Sequence, residues 1–156
     1  MSRLCARFSR GGDAGSAIVE FVFVAVVVMI PLAYLLVSVA IVQRTQLAVS
    51  QAAREAGRAI ATADSASDLP RRVAAAVHIA LRSQGVPGNV AVRVVAPGAA
   101  CTSAAVPPVL AAGAELTVCV TRDVQMPAVP SVLAGRGIRC IGRYTVHVDD
   151  YRTVRP

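Results

Sequence analysis

One uninterrupted apolar run near the amino terminus limits what this chain can fold into more than any other feature. The 22 residues from Phe21 to Val42 contain no charged side chain. At about 1.5 Å per helical residue they span about 33 Å, and the hydrocarbon core of a bilayer is about 30 Å thick. A helix that is apolar all round over this length is not typical of a water-soluble fold. The run therefore predicts one transmembrane helix, in which Pro31 is tolerated as a kink.

The composition and charge agree with a small anchored protein. Charged residues make up only 16% of the 156 residues, where soluble domains average about 25%. The formal net charge is +7, and all 16 basic residues are arginine. This length leaves room for one compact domain beyond the span, and the hydrophobicity excludes long disorder.

Four segments follow from the position of the span. We predict a basic leader over 1–15, the transmembrane helix over 16–42, a helical region over 43–84, and a small β-rich outer domain over 85–156. Three arginines precede the span and others follow it closely, so the positive-inside rule gives a small preference for a cytoplasmic amino terminus. The expected location is the cytoplasmic membrane, crossed once, with the C-terminal domain outside the cytoplasm.

The periodicity beyond the span predicts an α+β fold. The membrane helix is expected to continue as an outer helix to about Thr62, since 43–63 lacks proline and is rich in good helix formers. A second helix is expected over about Leu69 to Gln84, stopped by Gly85. Alternating apolar residues predict a small antiparallel sheet, with strands over 90–95, 115–121 and 138–149.

The outer part of the first helix carries an apolar stripe. Its members are Leu47, Ala52, Ala56, Ala59 and Ile60. The stripe packs either on the chain's own domain or partly on neighbouring copies, and the residues alone do not separate these alternatives.

Three cysteines lie in the predicted outer domain, and they allow one disulfide with one thiol left over. Cys101 lies in a loop from which it is able to reach either Cys119 or Cys140. Alternation places Cys119 and Cys140 on opposite faces of the sheet, so a bond between those two requires a bulge, for example at Gly142. The pairing stays open, and three buried free thiols are the remaining alternative.

The chain lacks the motifs of catalysis and metal binding. The two histidines, His78 and His147, are far apart, with no nucleophile elbow, zinc-protease or phosphate-loop motif around them. We therefore predict no enzymatic activity, no cofactor, no metal and no small-molecule substrate. The arginines have no aromatic residues among them, so nucleic-acid binding is not expected. Asp149, Asp150 and the arginines at 136, 139 and 143 are interpreted as solvated.

The junction between leader and span carries the strongest motif. It runs Gly15-Ser16-Ala-Ile-Val-Glu20-Phe21, with a carboxylate inside the apolar region. An ionised group there costs about 2.5–3.5 kcal/mol at mid-membrane and less near the edge, so it is a functional candidate by default. The junction resembles the prepilin processing motif of type IV and Flp-type pilins. With the span and the following QAAREAGRA segment, it is similar to the TadE-like minor pilins of tight-adherence pili.

The resemblance implies a role in pilus assembly and adhesion. A prepilin peptidase would cut between Gly15 and Ser16, and Glu20 with Phe21 would serve recognition or assembly with other pilins. Flp shaft pilins are shorter and commonly have tyrosine where Phe21 stands, which favours a minor pilin.

Two alternatives to the minor pilin stay open. One is an unprocessed, single-pass anchored protein whose outer domain binds a component of the envelope. The other is a soluble domain released after Ala40, where a small-x-small signal peptidase site occurs.

Overall fold

The computed structural model describes residues 13–126 and 137–151 and contains two helices and three strands. Helix α1 is Asp13–Ala61 and helix α2 is Leu69–Ser83. Strands β1, β2 and β3 are Ala91–Val95, Glu115–Val124 and Ile138–His147. The strands form an antiparallel sheet in the order β1-β2-β3. The predicted α+β class is therefore confirmed.

The chain divides into two units, Met1–Val39 and Ala40–Pro156. In the first unit, α1 has no charged side chain after Glu20, and most of its large apolar side chains are exposed. The mean hydropathy of the apolar segment reaches 2.8. The helix continues through Pro31 without a break. This apolar helix is long enough to cross a membrane.

In the second unit, α1 packs on the sheet through a face of small side chains. The buried residues of this helix face are Ala48, Val49, Ala52, Ala53, Ala56 and Ile60. Three members of the predicted stripe, Ala52, Ala56 and Ile60, are buried in this unit, whereas Leu47 is 66% exposed and does not pack on it. The packed face consists mostly of alanines, and their small side chains let the helix backbone approach the strands.

Helix α2 completes the core on the same face of the sheet. It buries Leu69, Val77, Ala80 and Leu81. Gly85 ends the helix with a positive φ of 66°, and its N–H donates to the Arg82 carbonyl. This is the conformation for which a glycine after a helix is favoured.

Strand β3 passes along α1 in the same chain direction. Cys140 Sγ donates to the Val42 carbonyl at 3.9 Å, and Gln46 Nε2 donates to the Ile141 carbonyl at 2.8 Å. Further along, Tyr144 lies against Gly57 of the helix. The start of β3 therefore lies beside the start of the α1 segment in this unit.

Gly142 marks the closest approach of helix and sheet. A Cβ at this position would overlap the Val49 carbonyl group of α1. Pairing between β2 and β3 is unbroken here, with Gly142 opposite Val120. Glycine is needed for the close approach of two backbones, and no bulge is present at this position.

Gly142→Ala should therefore destabilise the second unit by about 1–3 kcal/mol, because main chain must move to admit the methyl group. Alanine in a strand would otherwise be favoured over glycine by about 0.5–1 kcal/mol. Thermal unfolding of the full chain in detergent, followed by circular dichroism, measures the change.

Gly57→Ala is the matched control. Its added Cβ would lie 2.6 Å from Tyr144 Cδ1, but this side chain is 39% exposed and can turn away. Alanine also gains about 1 kcal/mol of helix propensity, so Gly57→Ala should stay near wild-type stability. Equal losses for both variants would contradict the close-approach role of Gly142.

Candidate functional site

The junction motif lies at the beginning of α1. Gly15 and Ser16 fall in the first turn of the helix, which begins at Asp13. Glu20 follows one turn after Ser16, and Phe21 is 75% exposed. The first backbone N–H groups of a helix have no intrahelical partner, so this turn opens at low cost.

Glu20 stands among exposed apolar side chains. Its neighbours Ile18 and Val19 are 66% and 69% exposed. Among the described side chains, no basic group forms an ion pair with Glu20. A carboxylate near a helix N-terminus interacts favourably with the helix dipole. That position leaves its oxygens free to accept from a cation that another group supplies.

The structure joins Cys101 to Cys119 in a disulfide. Cys119 is fully buried at the middle of β2, on the face that points away from the helices. The bond joins residues 18 positions apart in the sequence. It holds the segment after β1 against the outer face of the sheet.

Two arginines support this loop from the neighbouring strands. Arg93 and Arg143 are the cross-strand partners of Cys119 on its two sides. Arg143 Nη2 donates to the Gly98 carbonyl at 3.1 Å, and Arg93 Nη1 donates to the Ser103 carbonyl at 3.3 Å. Interpreting Arg143 as simply solvated missed this contact, since its loop partner is 45 positions away. Arg136 lies outside the described residues.

Thr117 adds a third fixed point between the loop and the sheet. Its Oγ1 accepts from the Gly98 N–H at 3.2 Å and contacts the Thr145 hydroxyl at 3.0 Å. The loop and helices together bury both faces of β2, from Leu116 to Val120. The central strand thus has an apolar helix-facing side and a covered outer side.

Cys140 is the free cysteine of the described residues and is buried on the helix-facing side. Burial raises the pKa of its thiol, and this outweighs the lowering by the Arg122 guanidinium. A raised pKa keeps the thiol protonated and a poor nucleophile. With the sheet also between Cys140 and the disulfide, thiol exchange between them is disfavoured.

A groove of about 510 Å³ lies beside the disulfide on the outer face. Its charged groups are already engaged: Arg139 Nε donates to Asp123 Oδ1 at 3.0 Å, and Arg122 donates to the Val86 carbonyl at 2.8 Å. These contacts hold strands and loops together and account for the charges without a ligand.

The far end of the sheet holds the remaining titratable cluster. His147 Nδ1 lies 3.5 Å from Glu115 Oε1, and its Nε2 lies 3.4 Å from Asp150 Oδ1. The Asp149 carboxylate accepts from the Tyr151 N–H at 2.9 Å. Asp149 and Asp150 therefore have protein partners. No metal-binding group of three His, Cys, Asp or Glu side chains occurs within 13–126 and 137–151.

Reducing the Cys101–Cys119 bond should lower the free energy of unfolding of the second unit by about 3 kcal/mol, the loss expected for a closed loop of this size. Thermal unfolding of the full chain with and without dithiothreitol measures the effect. Cys140→Ala should keep the response to reductant, whereas Cys101→Ser with Cys119→Ser should abolish it. A response in that double variant would place the reducible bond elsewhere.

Comparison with known protein families gives a match near the amino terminus. Residues 15–58 match the family model described as TadE-like protein, so the resemblance predicted from the sequence is confirmed over these residues. The match begins at Gly15, contains the apolar run and ends three residues before the last residue of α1. No curated protein and no solved structure matches the chain.

Proposed function

Because its helix α1 matches the TadE-like family, we propose that the protein is a minor pilin-like component of tight-adherence pilus assembly, anchored in the membrane by α1. The observation that carries this proposal is the family match over 15–58, which covers Gly15, Ser16, Glu20 and the apolar run together. The proposed role is assembly with other pilins, and this role requires no catalytic group on this chain.

We propose that a prepilin peptidase removes the leader by cutting between Gly15 and Ser16. The small side chain of Gly15 precedes the bond, and the bond lies in the first helical turn. A peptidase needs that turn to open, and the end of a helix opens more readily than its interior. Cleavage would remove Arg3, Arg7 and Arg10 and leave a Ser16 ammonium at the membrane boundary.

The Ser16 ammonium gives Glu20 a partner. A positive charge at a helix N-terminus opposes the helix dipole, so the new terminus is stabilised by a carboxylate. Glu20 lies four residues on, about 6 Å along the axis. The same carboxylate, exposed on the helix surface, is placed to meet the ammonium of an adjacent subunit in an assembly.

The disulfide supports an extracytoplasmic outer domain. Structural disulfides form and persist in oxidising compartments and are rare in the cytosol. The Cys101–Cys119 bond lies in the second unit, Ala40–Pro156. Placing this unit outside the cytoplasm leaves the amino terminus inside, as the arginines of the leader favour.

Gly15→Ala should slow or block removal of the leader, because the added methyl group disturbs the residue before the cut. Mass spectrometry of the mature amino terminus, in a strain that contains the prepilin peptidase, measures the processed fraction. Gly12→Ala is the matched control and should be processed like the wild type.

Each outcome at the amino terminus selects one hypothesis. A terminus at Ser16 in the wild type supports the pilin. The initiator region retained in the wild type would instead support an unprocessed anchored protein with an envelope-binding domain. A terminus at Ile41 would indicate a released soluble domain.

Glu20→Leu should yield a stable, membrane-inserted protein that fails in pilus assembly. Removing the charge favours insertion by up to about 3 kcal/mol, but it leaves the Ser16 ammonium without its partner in a low-dielectric contact. Electron microscopy of pili, at matched protein level, measures the result.

Two further substitutions at this position separate charge from polarity. Glu20→Gln keeps size and hydrogen bonding without charge and should fail like Glu20→Leu. Glu20→Asp keeps the charge with a shorter reach and should be intermediate. Normal piliation in the Glu20→Leu variant would contradict the pairing with the Ser16 ammonium and would indicate that Glu20 lies at the membrane interface without a role in assembly.

A further inference from the structure

Strand β3 has a long free edge. The sheet order β1-β2-β3 places β1 and β3 at the two edges. The edge of β1 is partly closed, because the Val106 N–H donates to the Val94 carbonyl at 2.9 Å. Strand β3 is ten residues long, contains no proline and pairs with β2 in an unbroken register. Its edge thus lacks a proline or a bulge, two of the devices that keep edge strands from pairing with another chain.

The backbone groups that point to this edge follow from the sheet register. In an antiparallel sheet, alternate residues direct their N–H and C=O groups to opposite sides of the strand. Val94 bonds the loop on its outer side, so its β2 partner Val118 directs its own groups toward Tyr144. The residues on either side of Tyr144 point the other way. Arg143 and Thr145 therefore direct their N–H and C=O groups to the free edge.

A side chain of α1 agrees with this assignment and marks where the open part of the edge begins. Gln46 Nε2 donates to the Ile141 carbonyl, which lies two residues before Arg143 and points to the same side. Outside the ladder with β2, no backbone hydrogen bond from Arg143 to His147 occurs in the part of the chain that the structure describes. The N–H and C=O groups of Arg143, Thr145 and His147 are thus available to one further strand.

The outer side of the open edge carries a positive charge without a carboxylate partner. Arg139 forms an ion pair with Asp123 at 3.0 Å, whereas no described carboxylate forms one with Arg143. The exposed Arg143 side chain donates to the Gly98 carbonyl, and a guanidinium has five N–H donors. Opposite charges on directly paired residues of neighbouring strands attract each other. An added strand with an acidic residue opposite Arg143 is therefore favoured.

The helix-facing side of the open edge offers an apolar contact. Tyr144 is 39% exposed, and Gly57 of α1 lies against its ring. Gln46 and Gly57 both contact β3 near this edge and are three helical turns apart, and Ser50 lies one turn from Gln46 on the same flank of the helix. Because Ser50 and Gly57 are small, this flank leaves space for an apolar side chain of an added strand beside Tyr144.

We propose that the edge of β3 from Arg143 to His147 binds an extended segment of a partner protein as a fourth strand. The segment bonds to the free backbone groups, places an acidic side chain opposite Arg143 and packs an apolar side chain against Tyr144. A second copy of β3 is a poorer match, since Ile138–His147 contains two arginines and no carboxylate. This inference concerns the second unit alone and does not depend on leader cleavage or on the proposed pilus role.

The probe is the acetylated and amidated peptide Thr-Val-Glu-Val-Thr, which has valines on one face and glutamate on the other when extended. It is added at about 1 mM to the full, isotope-labelled chain in detergent micelles, and amide hydrogen exchange is followed by NMR. Exchange at Arg143 and Thr145 should slow at least about twofold, because pairing protects edge amides. The Tyr144 and Val146 amides, bonded to β2, should be protected without peptide. No slowing at Arg143 and Thr145 would overturn the proposal.

Thr145→Pro removes an N–H from the edge without removing a bond to β2. Thr145→Ala is the matched control, since both variants lose the contact of the Thr145 hydroxyl with Thr117 at 3.0 Å. The peptide should bind Thr145→Pro at least about tenfold more weakly than Thr145→Ala, because proline lacks the donor and its ring obstructs the incoming strand. Protected Tyr144 and Val146 amides report an intact sheet in each variant. Equal affinities would contradict strand addition at this edge.

Two further measurements test the charge and the identity of the occupant. The same peptide with lysine in place of glutamate should bind the wild type about fivefold more weakly, and Arg143→Gln should remove this difference. Equal affinity of both peptides for the wild type would overturn the acidic segment. Exchange at Arg143 and Thr145 that slows with protein concentration, without peptide, would assign the edge to a second copy and would overturn the proposed partner.

Discussion

The approach of α1 to β3 at Gly142 is the contact on which the second unit depends. The carbonyl of Val49 occupies the space that any larger residue at this strand position would need. Alanines at 48, 52, 53 and 56 bring the helix backbone near the strands along the same face. Because small side chains bury little apolar area each, close packing has to supply much of the stabilisation that large residues give elsewhere.

The outer face of the sheet is stabilised by different means. Thr117 and Cys119 point away from the helices, where a three-stranded sheet would usually meet water. The loop held by Cys101, with Arg93 and Arg143 donating to its carbonyls, covers them. A chain with only three Phe, three Tyr and no Trp has few large side chains for a core. A covalent bond and charged hydrogen bonds to one loop supplement that core, as is common in small domains with few large core side chains.

Helix α1 contains both the apolar segment and the part that packs on the sheet, within one continuous element. Its apolar part carries the junction motif with Glu20, and its small-residue part forms the base on which the sheet packs. The TadE-like match covers both parts and stops before α2 and the sheet. The family match thus concerns α1, while α2, the sheet and its disulfide loop lie outside the matched residues.

The elements themselves could be predicted from local pattern. The length and lack of charge from Phe21 to Val42 predict the apolar helix, and Gly85 predicts the end of α2. Alternating apolar residues around Val118 and Val146 predict strands. Each of these patterns depends only on residues that are close together in the sequence. The roles of Gly15, Ser16, Glu20 and Phe21 come from the resemblance of the junction to the prepilin motif, and they stay predictions.

Tertiary structure decided what depends on distant partners. Cys101 rather than Cys140 pairs with Cys119 because sheet orientation places Cys140 on the helix side. Leu47 is exposed because the sheet packs on the helix face of Ala48, Ala52 and Ala56, from which Leu47 points away. The contact of Arg143 with the Gly98 loop, and the close approach at Gly142, join segments 45 and 93 positions apart. No local periodicity encodes such pairs, since they exist only once the helix and the sheet have packed.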